Sequence, residues 1–388
     1  MESRSRALKE LAGLFLRLGV TAFGGPAAHI AMMEDEVVRR RKWLTQEEFL
    51  DLLGATNLIP GPNSTEMAIH VGHRRGGIAG LLVAGSCFIF PAAAIVCAIA
   101  WAYSRYGKLP EVHGVLYGIK PVIIAVVAQA LYRLGRSAIK NSCLGLIALG
   151  AIAASLMRAN ELLVLLGAGL LSLLIGEFKN RGSGAALIFG PMAATGAMTQ
   201  SGTAFVQSGG TEATAFSISA LFFFFAKVGS VLFGSGYVLL AFLRSDLVEK
   251  WGWLSESQLL DAISVGQFTP GPVFTTATFI GYILDGMSGA VAATVGIFLP
   301  AFVFVAISGP LVPKLRKSRA AGAVLDGVNA GSLALMAVVT FDLSRSAVVD
   351  WTTALLAIVA GFILLRYRVN SAWLVAGGAL AGLLKTLF

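Results

Sequence analysis

Charged residues are scarce in this chain of 388 residues: they make up 13% of it, whereas a soluble domain usually carries about a quarter. Hydrophobic residues make up 56%, and the mean hydropathy is +0.78. Three of the apolar runs reach the roughly 20 residues that cross a bilayer: Gly77–Tyr103, Val112–Leu131 and Ser288–Val312. The composition excludes a soluble globular protein and predicts a polytopic membrane protein.

Cysteine and histidine are also rare, with three and four residues. Cys87, Cys97 and Cys143 lie singly in or beside apolar runs, so neither a disulfide framework nor a metal site is expected. His70 and His73 are close in sequence, but no carboxylate pair completes a metal site. The chain has no P-loop, dinucleotide fingerprint or Ser-His-Asp set. We therefore expect no metal, no cofactor and no enzymatic activity.

The net charge of +9 comes from basic residues in short loops between apolar runs, where they set membrane orientation. We therefore expect the lipid bilayer to be the environment of the chain, with no nucleic-acid partner. The basic N-terminus precedes an apolar stretch that continues to Ala28 without a small-residue cleavage site, so no cleavable signal peptide is expected.

The chain contains a long internal duplication. Pro60-Gly61-Pro62 recurs 210 positions later as Pro270-Gly271-Pro272, and Trp43-Leu44-Thr45 recurs as Trp253-Leu254-Ser255. One residue is then lost, and later motifs match at an offset of 209. The duplication predicts a repeat at residues 1–178, a connector at 179–214 and a second repeat at 215–388. Whether residues 185–205 of the connector enter the membrane is left open.

Each repeat is predicted to contain five membrane-spanning helices and one broken segment. In the first repeat the broken segment is 47–72, and its two arms of about 10–12 residues would each cross half a bilayer. Basic residues concentrate on one side if the second repeat is inverted. The predicted fold class is an all-α integral membrane protein with two inverted-topology repeats, each with a re-entrant helical hairpin broken at Pro-Gly-Pro. The predicted spans of the first repeat are 7–28, 77–104, 112–132, 141–157 and 160–177.

Three cations lie within apolar runs: Arg17, Lys227 and Lys120. Inserting such a residue costs roughly 2.5–3.5 kcal/mol, so it usually faces a cavity or a partner. Arg17 and Lys227 are equivalent at offset 210 and are predicted to bind a dianion between the repeats. The alternative is that each reaches the membrane surface or pairs with a nearby carboxylate, such as Glu10 for Arg17. Lys120 matches Asn329, so its assignment to the site rests on burial alone.

The two breaks supply further predicted ligands. Asn63, Ser64 and Thr65 open the second half-helix of the first repeat, and Thr275 and Thr276 lie there in the second. The first N–H groups of a helix lack intrahelical partners and lie at its positive end, which favours an anion. Ordinary helix capping is the alternative reading. The equivalent amides Asn57 and Gln267 precede the breaks, which consist of Pro60, Gly61 and Pro62 and of Pro270, Gly271 and Pro272.

Three other features complete the predicted site. Gly24 and Gly25 match the stretch around Gly234, where small residues would let a helix or a ligand approach closely. Glu66 lies in the second half-helix and is predicted to relay protons, or to neutralise one of the intramembrane cations. Asp51 and Asp261 are a matched pair that we expect to cap helices or to lie near the membrane interface.

Four motifs of the first repeat carry a family resemblance: Phe15-x-x-x-Gly19-x-x-x-Phe23-Gly24-Gly25-Pro26, Trp43-Leu44-Thr45, Pro60-Gly61-Pro62-Asn63 and Phe90-Pro91-Ala92. Together with the degenerate second set, they resemble the long, two-domain form of the chromate ion transporter family. The resemblance implies homologous halves of opposite orientation and export of chromate across the bacterial inner membrane, which gives chromate resistance. Ser235-Gly236 replaces the Gly-Pro of the first repeat, so site residues need not carry over between the repeats.

These observations predict a multi-pass secondary transporter of the bacterial inner membrane that exports chromate by alternating access. No nucleotide-binding motif is evident, so an ion gradient or the membrane potential would supply the energy. Two alternatives stay open: a transporter of sulfate or a similar oxyanion, and a passive anion channel. A homodimer is also left open.

Overall fold

The computed structural model describes residues 4–23, 25–107, 109–180, 216–232, 239–308, 319–367, 369 and 371–387. These parts are helical and contain no strand. The first repeat contains α1 (Arg4–Thr21), α2 (Gly25–Glu34), a π-helix π1 (Asp35–Arg40), α3 (Gln46–Thr56), α4 (Asn63–Tyr106), α5 (Pro110–Ala138), α6 (Ser142–Leu156) and α7 (Glu161–Asn180). Most of the predicted connector, including residues 185–205, lies outside the described residues.

The second repeat follows the same order of elements. It contains α8 (Ile218–Val231), α9 (Leu239–Phe242), π2 (Leu243–Lys250), α10 (Glu256–Phe268), a 3₁₀ turn (Val273–Thr275), α11 (Thr276–Ser308), α12 (Arg319–Ala347), α13 (Trp351–Arg366) and α14 (Ser371–Leu387). Matched capping boxes start α3 and α10, with Thr45 and Ser255 each accepting a hydrogen bond from the third helical residue. The duplicated sequence therefore forms duplicated structure.

Both repeats break their helices at the Pro-Gly-Pro motif. The first break lies between α3, which ends at Thr56, and α4, which begins at Asn63. Gly61 has a φ of 146° and Gly271 a φ of 83°, a region that favours glycine because side chains clash there. The predicted break is therefore present at the same place in each repeat.

The helix after each break is bent a second time. α4 has non-helical backbone at Gly77, and α11 has it at Asp285 and Gly286. A Cβ added at Gly72 or at Gly80 would collide with the carbonyl oxygen of the other residue. Residues eight apart in a straight helix are about 12 Å apart along its axis, so the two arms of α4 fold back on each other.

The first predicted span, 7–28, is wrong at its C-terminal end. α1 ends at Thr21, and α2 begins at Gly25, where a φ of 78° redirects the chain. The Gly-Gly-Pro sequence at this point explains the interruption, because proline removes a helical N–H donor. The apolar character continues past the end of the helix, which is why hydropathy alone did not reveal it.

By length and composition, four helices of the described parts are able to cross a membrane: Asn63–Tyr106, Pro110–Arg136, Val273–Ser308 and Ala320–Ala347. Shorter apolar helices accompany them, and many large apolar side chains are exposed on their outer faces, among them Leu146, Leu163, Phe223 and Phe362. Such a surface is stable against lipid rather than against water.

The repeats pack on each other reciprocally. α5 of the first repeat contacts α13 and α14 of the second, and its counterpart α12 contacts α6 and α7 of the first, while α4 packs on α11. Close approach depends on small residues: Gly118 lies against Gly378, and the equivalent Gly327 lies against Ala168. Reciprocal contacts of this kind are those of a two-fold axis relating the repeats.

A polar cluster joins the repeats at the ends of these helices. Lys385 Nζ lies 2.7 Å from Oδ2 of Asp350, and the Tyr117 hydroxyl donates to both Asp350 oxygens at 2.6 Å. Lys385, Tyr117 and the Thr353 backbone N–H together hold the pKa of Asp350 well below its usual range. The equivalent position of Tyr117 is Asp326, which binds Lys140 at 2.7 Å. The cluster around Tyr117 therefore joins α5 to the second repeat, and the pair of Asp326 with Lys140 joins α12 to the first repeat.

Gly378→Leu is expected to lower the stability of the folded protein by about 1–3 kcal/mol, because a side chain there would collide with Gly118. The neighbouring Gly377 has no atom near its Cβ position, so Gly377→Leu provides a control with the same change in helix propensity. Thermal unfolding in detergent measures both variants. Equal melting temperatures for the two variants would contradict the close α5–α14 contact.

Candidate functional site

Each Pro-Gly-Pro turn is hydrogen-bonded to the first helix of the other repeat. The Gly61 N–H donates to the carbonyl of Leu232 at 2.6 Å, and the Gly271 N–H donates to the carbonyl of Ala22 at 2.9 Å. Both donors and both acceptors are equivalent at offset 210. The two breaks therefore lie at the junction of the repeats.

These contacts join the helices that carry the predicted cations to the break of the opposite repeat. Arg17 precedes Ala22 by five residues, which is about 7.5 Å along a helix axis, and Lys227 precedes Leu232 by the same interval. A Cβ at Gly271 would lie 3.2 Å from the carbonyl oxygen of Gly19, so α1 and the second turn are in direct contact.

Arg17 belongs to a cluster of charges centred on Glu36 in π1. Its Nη2 lies 2.5 Å from Oε1 of Glu36, whose side chain is only 10% exposed. Arg41 and Arg40 approach the same carboxylate at 3.2 Å and 3.7 Å, and Arg40 also binds Asp35 at 2.6 Å. Three basic groups thus meet two acidic groups, which leaves the cluster with a net positive charge.

The second repeat has the equivalent cluster. Lys227 and Lys250 both bind Asp246 at 2.7 Å, and Asp246 is buried. The three residues occupy the positions of Arg17, Arg40 and Glu36 at offset 210. Two basic groups meet one acidic group here, so this cluster also has an excess of positive charge.

The alternative reading, in which each cation pairs with a carboxylate, is the one seen in the structure, but Glu10 is the wrong partner for Arg17. Glu10 binds Arg75 at 2.6 Å and Arg6 at 3.3 Å, while Arg17 binds Glu36. The partner is a carboxylate that lies 19 positions further along the chain, brought back by the turn between α1 and α2. Glu36 and Asp246 are functional candidates that the sequence reasoning missed, although both are acidic at the same offset of 210 as the two cations.

A cavity of about 450 Å³ lies beside the first cluster. Its lining includes Arg17, Thr21, Glu36 and Arg40. A water molecule occupies about 30 Å³ in the liquid, so the cavity has room for a small oxyanion and several waters. The lining offers guanidinium groups to an anion, and it also holds the carboxylates of Asp35 and Glu36, which bind the same groups.

Ser64, Thr65, Thr275 and Thr276 at the helix starts are buried, and Asn63 is partly exposed. Pro62 and Pro272 precede the half-helices and make no side-chain capping hydrogen bond. Thr275 and Thr276 donate to the carbonyls of Pro272 and Val273, both at 2.8 Å, so these hydroxyls bond to their own turn in this conformation. Among the described residues, buried polar atoms without a hydrogen-bond partner include Asn63 Oδ1, Thr65 Oγ1 and Gln267 Nε2.

The remaining predicted ligands have mixed positions. Asn57 accepts a hydrogen bond from Asn63 at 2.9 Å, which links the two sides of the first break, and Ser64 is buried in the half-helix. Gly25 begins α2. Gly24 and Gly234 lie outside the described residues.

Glu66 is fully buried beside the first break. Its exposed fraction is 0%, and neither carboxylate oxygen has a hydrogen-bond partner among the described residues. A Cβ at Gly61 would collide with Oε1 of Glu66, so the absence of a side chain at Gly61 makes room for the carboxylate. Neither Arg17 nor Lys120 neutralises it, because both are paired with other carboxylates.

Lys120 forms a buried ion pair with Asp261 across the repeats. Its Nζ lies 3.0 Å from Oδ1 of Asp261 and donates to the Ser257 hydroxyl at 2.8 Å. Tyr103 donates to the other Asp261 oxygen at 2.8 Å. Asp261 lies within α10 and is buried, so the expectation that it caps a helix is wrong. The network connects α4 and α5 to α10. In the second repeat the position of Lys120 is taken by Asn329, which has no charge to form such an ion pair.

The description "Chromate transporter" belongs to a family model that matches residues 9–173 and 219–383, once in each repeat. A chromate transport protein of Cupriavidus metallidurans is 33% identical over 97% of this chain and 92% of its own length. A chromate transport protein of Pseudomonas aeruginosa is 31% identical over 87% of this chain and 81% of its own length. A probable chromate transport protein of Synechococcus elongatus is 30% identical over 91% and 89% of the two chains.

Comparison with solved structures gave no match. The apolar helices and the bacterial relatives are consistent with a multi-pass protein of the bacterial inner membrane. The match to the family model in both repeats accounts for the duplicated motifs, the duplicated breaks and the duplicated ion pairs. The chain belongs to the chromate transporter family, whose members are transport proteins rather than enzymes.

Proposed function

We propose that the chain is a secondary active transporter that exports chromate by alternating access and thereby confers chromate resistance. The observation that carries this proposal is the matched pair of ion clusters, Arg17 with Glu36 and Lys227 with Asp246, on helices whose C-terminal ends are hydrogen-bonded to the break of the other repeat. Chromate as the substrate is supported by the names of the three relatives.

In the proposed mechanism, the oxyanion replaces a carboxylate at each cation. Arg17 would release Glu36 to bind a chromate oxygen, while Arg40 and Arg41 keep Glu36 neutralised. An arginine binds a carboxylate and a tetrahedral oxyanion with the same donor geometry, so the exchange requires little rearrangement. Backbone N–H groups at the starts of α4 and of the 3₁₀ turn would complete the coordination of the anion.

The reciprocal contacts between the repeats support an inverted pair that moves as two halves. Each Pro-Gly-Pro turn is bonded to the first helix of the other repeat, so a movement of one repeat alters both breaks together. An interior-negative membrane potential would favour export of a dianion by roughly 2.3 kcal/mol per charge per 100 mV. Glu66, buried beside the first break, would exchange a proton during the cycle.

Everted membrane vesicles test this function. With an imposed potential, vesicles that contain the protein are expected to accumulate radioactive chromate above its external concentration, and vesicles without the protein are not. Equilibration without accumulation would indicate a passive channel and contradict the proposal. Added sulfate tests the substrate: if sulfate competes at equal concentration and is itself accumulated faster, the natural substrate is sulfate or a similar oxyanion.

A further inference from the structure

Three titratable residues lie along one stripe of α4. Glu66, His70 and His73 are spaced four and three positions apart, so they project from the same face of the helix. They are separated by about 6 Å and 4.5 Å along the helix axis. Glu66 is 0% exposed and His70 is 5% exposed, whereas His73 is partly exposed beside the bend at Gly77. The stripe therefore runs from the buried break to a solvent-accessible turn.

The two buried members of the stripe lack partners. Neither oxygen of Glu66, nor Nε2 of His70, has a hydrogen-bond partner within the described part of the chain. Burying a polar group without a hydrogen bond costs free energy, and such groups are usually explained by an unseen water or by a function. Two neighbouring unsatisfied groups on one helix face, both able to carry a proton, indicate a wetted proton route rather than a packing role.

The second repeat has no such stripe. The equivalents of Glu66, His70 and His73 are Thr276, Phe279 and Tyr282. Phe279 is fully buried and packs against Tyr103, and Thr276 donates to its own backbone. The repeats are matched at the breaks and the ion clusters, so the titratable stripe is a feature of the first repeat alone.

Several charged groups of the elements packed against α4 are engaged elsewhere. Glu10 of α1 and Glu48 of α3 bind Arg75 and Arg74, which flank the bend. Four further ionisable side chains near α4 have partners: Arg17 binds Glu36, His29 bonds to the Ala22 carbonyl, Asp261 binds Lys120, and Asp285 accepts from Ser288. Lys9 of α1 and Glu47 and Asp51 of α3 also lie on elements that pack against α4, and Asp51 has an interaction of its own.

We propose that Glu66, His70 and His73 form a one-sided proton path between the membrane face at the Gly77 bend and the buried break. His73 takes a proton from bulk water, His70 passes it inward through water, and Glu66 holds it as a neutral carboxylic acid. A neutral Glu66 removes a negative charge that would repel an oxyanion at the neighbouring helix start. This inference rests on the proposed transport function, and it makes anion entry from that face dependent on pH.

Proteoliposomes that contain a pH-sensitive dye test the path. Wild-type protein is expected to move protons when chromate is added, and its KM for chromate should rise with pH, because an ionised Glu66 repels the anion. His70→Phe, which installs the residue of the second repeat, should reduce the proton signal at least about tenfold, as expected when a proton-transferring group is lost. Glu66→Gln should transport chromate with no proton signal and a KM that does not change with pH.

Two further variants separate a proton path from a structural role. His70→Gln keeps a polar side chain but cannot titrate, so it must behave like His70→Phe; a wild-type proton signal in His70→Gln overturns the path. His113→Gln, at an exposed position of α5, is the control and should leave the proton signal unchanged. If the wild type shows no chromate flux, the proposed function fails; if it shows flux without proton movement, only the path fails.

Discussion

Arg17→Ala and Lys227→Ala are each expected to reduce chromate flux in proteoliposomes by about tenfold to a hundredfold. The reason is the loss of a charge-assisted hydrogen bond to the anion, which contributes about 1.5–3 kcal/mol. Folding should survive both changes, because Glu36 keeps Arg40 and Arg41, and Asp246 keeps Lys250. The measurement is the initial rate of radioactive chromate uptake under an imposed potential, with the amount of reconstituted protein determined for each variant.

Two control variants sharpen this test. Arg17→Lys installs the cation of the second repeat and should retain most of the flux. Arg39→Ala removes an exposed arginine of the same π-helix, one that binds Glu34 rather than Glu36, and should leave the flux unchanged. If Arg39→Ala and Arg17→Ala lower the flux equally, the effect of Arg17 is general surface charge and the assignment of a substrate site fails.

The second large effect is expected at the buried ion pair between the repeats. Asp261→Ala should lower the free energy of unfolding by about 3–5 kcal/mol, because a buried charge would lose its partner. The side chains of Lys120 and Asp261 are only 16% and 3% exposed, so solvent screens this pair little. Thermal unfolding in detergent, or the fraction of protein that remains monodisperse after heating, measures the loss.

A double variant and a surface pair provide the controls. Removing both charges together, as in Lys120→Met with Asp261→Leu, should restore much of the lost stability, because replacing a whole buried pair by apolar groups is often neutral. Lys140→Ala breaks an exposed pair with Asp326 and should change stability by no more than about 1 kcal/mol. A melting temperature for Asp261→Ala equal to that of Lys140→Ala would contradict the structural role of the Lys120 network.

The sequence predicted the helices and the breaks well because both depend on local chemistry. Pro62 lacks the N–H donor that a continuous helix needs, and Gly61 adopts a backbone conformation that disfavours side chains, so the break could be placed from residue types alone. The duplication then predicted which residues of the second repeat correspond to those of the first, including the second break. The capping boxes of α3 and α10 lie at matched positions. The end of α1 at Thr21 was missed because apolar residues continue beyond it.

The partners of the charged residues could not be predicted in the same way. Arg17 meets Glu36 only because the chain turns between α1 and α2, and Lys120 meets Asp261 only because α5 packs near α10 of the other repeat. Pairings of this kind depend on tertiary packing, which periodicity and propensity do not encode. The duplication nevertheless held a usable signal, since Glu36 and Asp246 repeat at the same offset as Arg17 and Lys227.

The ion clusters explain how a strongly basic site can remain stable without its anion. In each repeat a buried carboxylate pairs with the cations and offsets part of their charge, and in the proposed mechanism an oxyanion takes its place at Arg17 or Lys227. Such a competing carboxylate weakens binding but permits release, which a transporter needs on the far side of the membrane. Replacing the carboxylate should therefore tighten the binding of chromate and slow its release.

Equilibrium binding of chromate to the purified protein tests this account most directly. We predict that Glu36→Gln binds chromate about tenfold more tightly than the wild type, equivalent to about 1.4 kcal/mol, because Arg17 is no longer occupied. Arg17→Gln should bind more weakly than the wild type. Wild-type affinity in both Glu36→Gln and Arg17→Gln would contradict the central claim that the Arg17–Glu36 cluster is the substrate site.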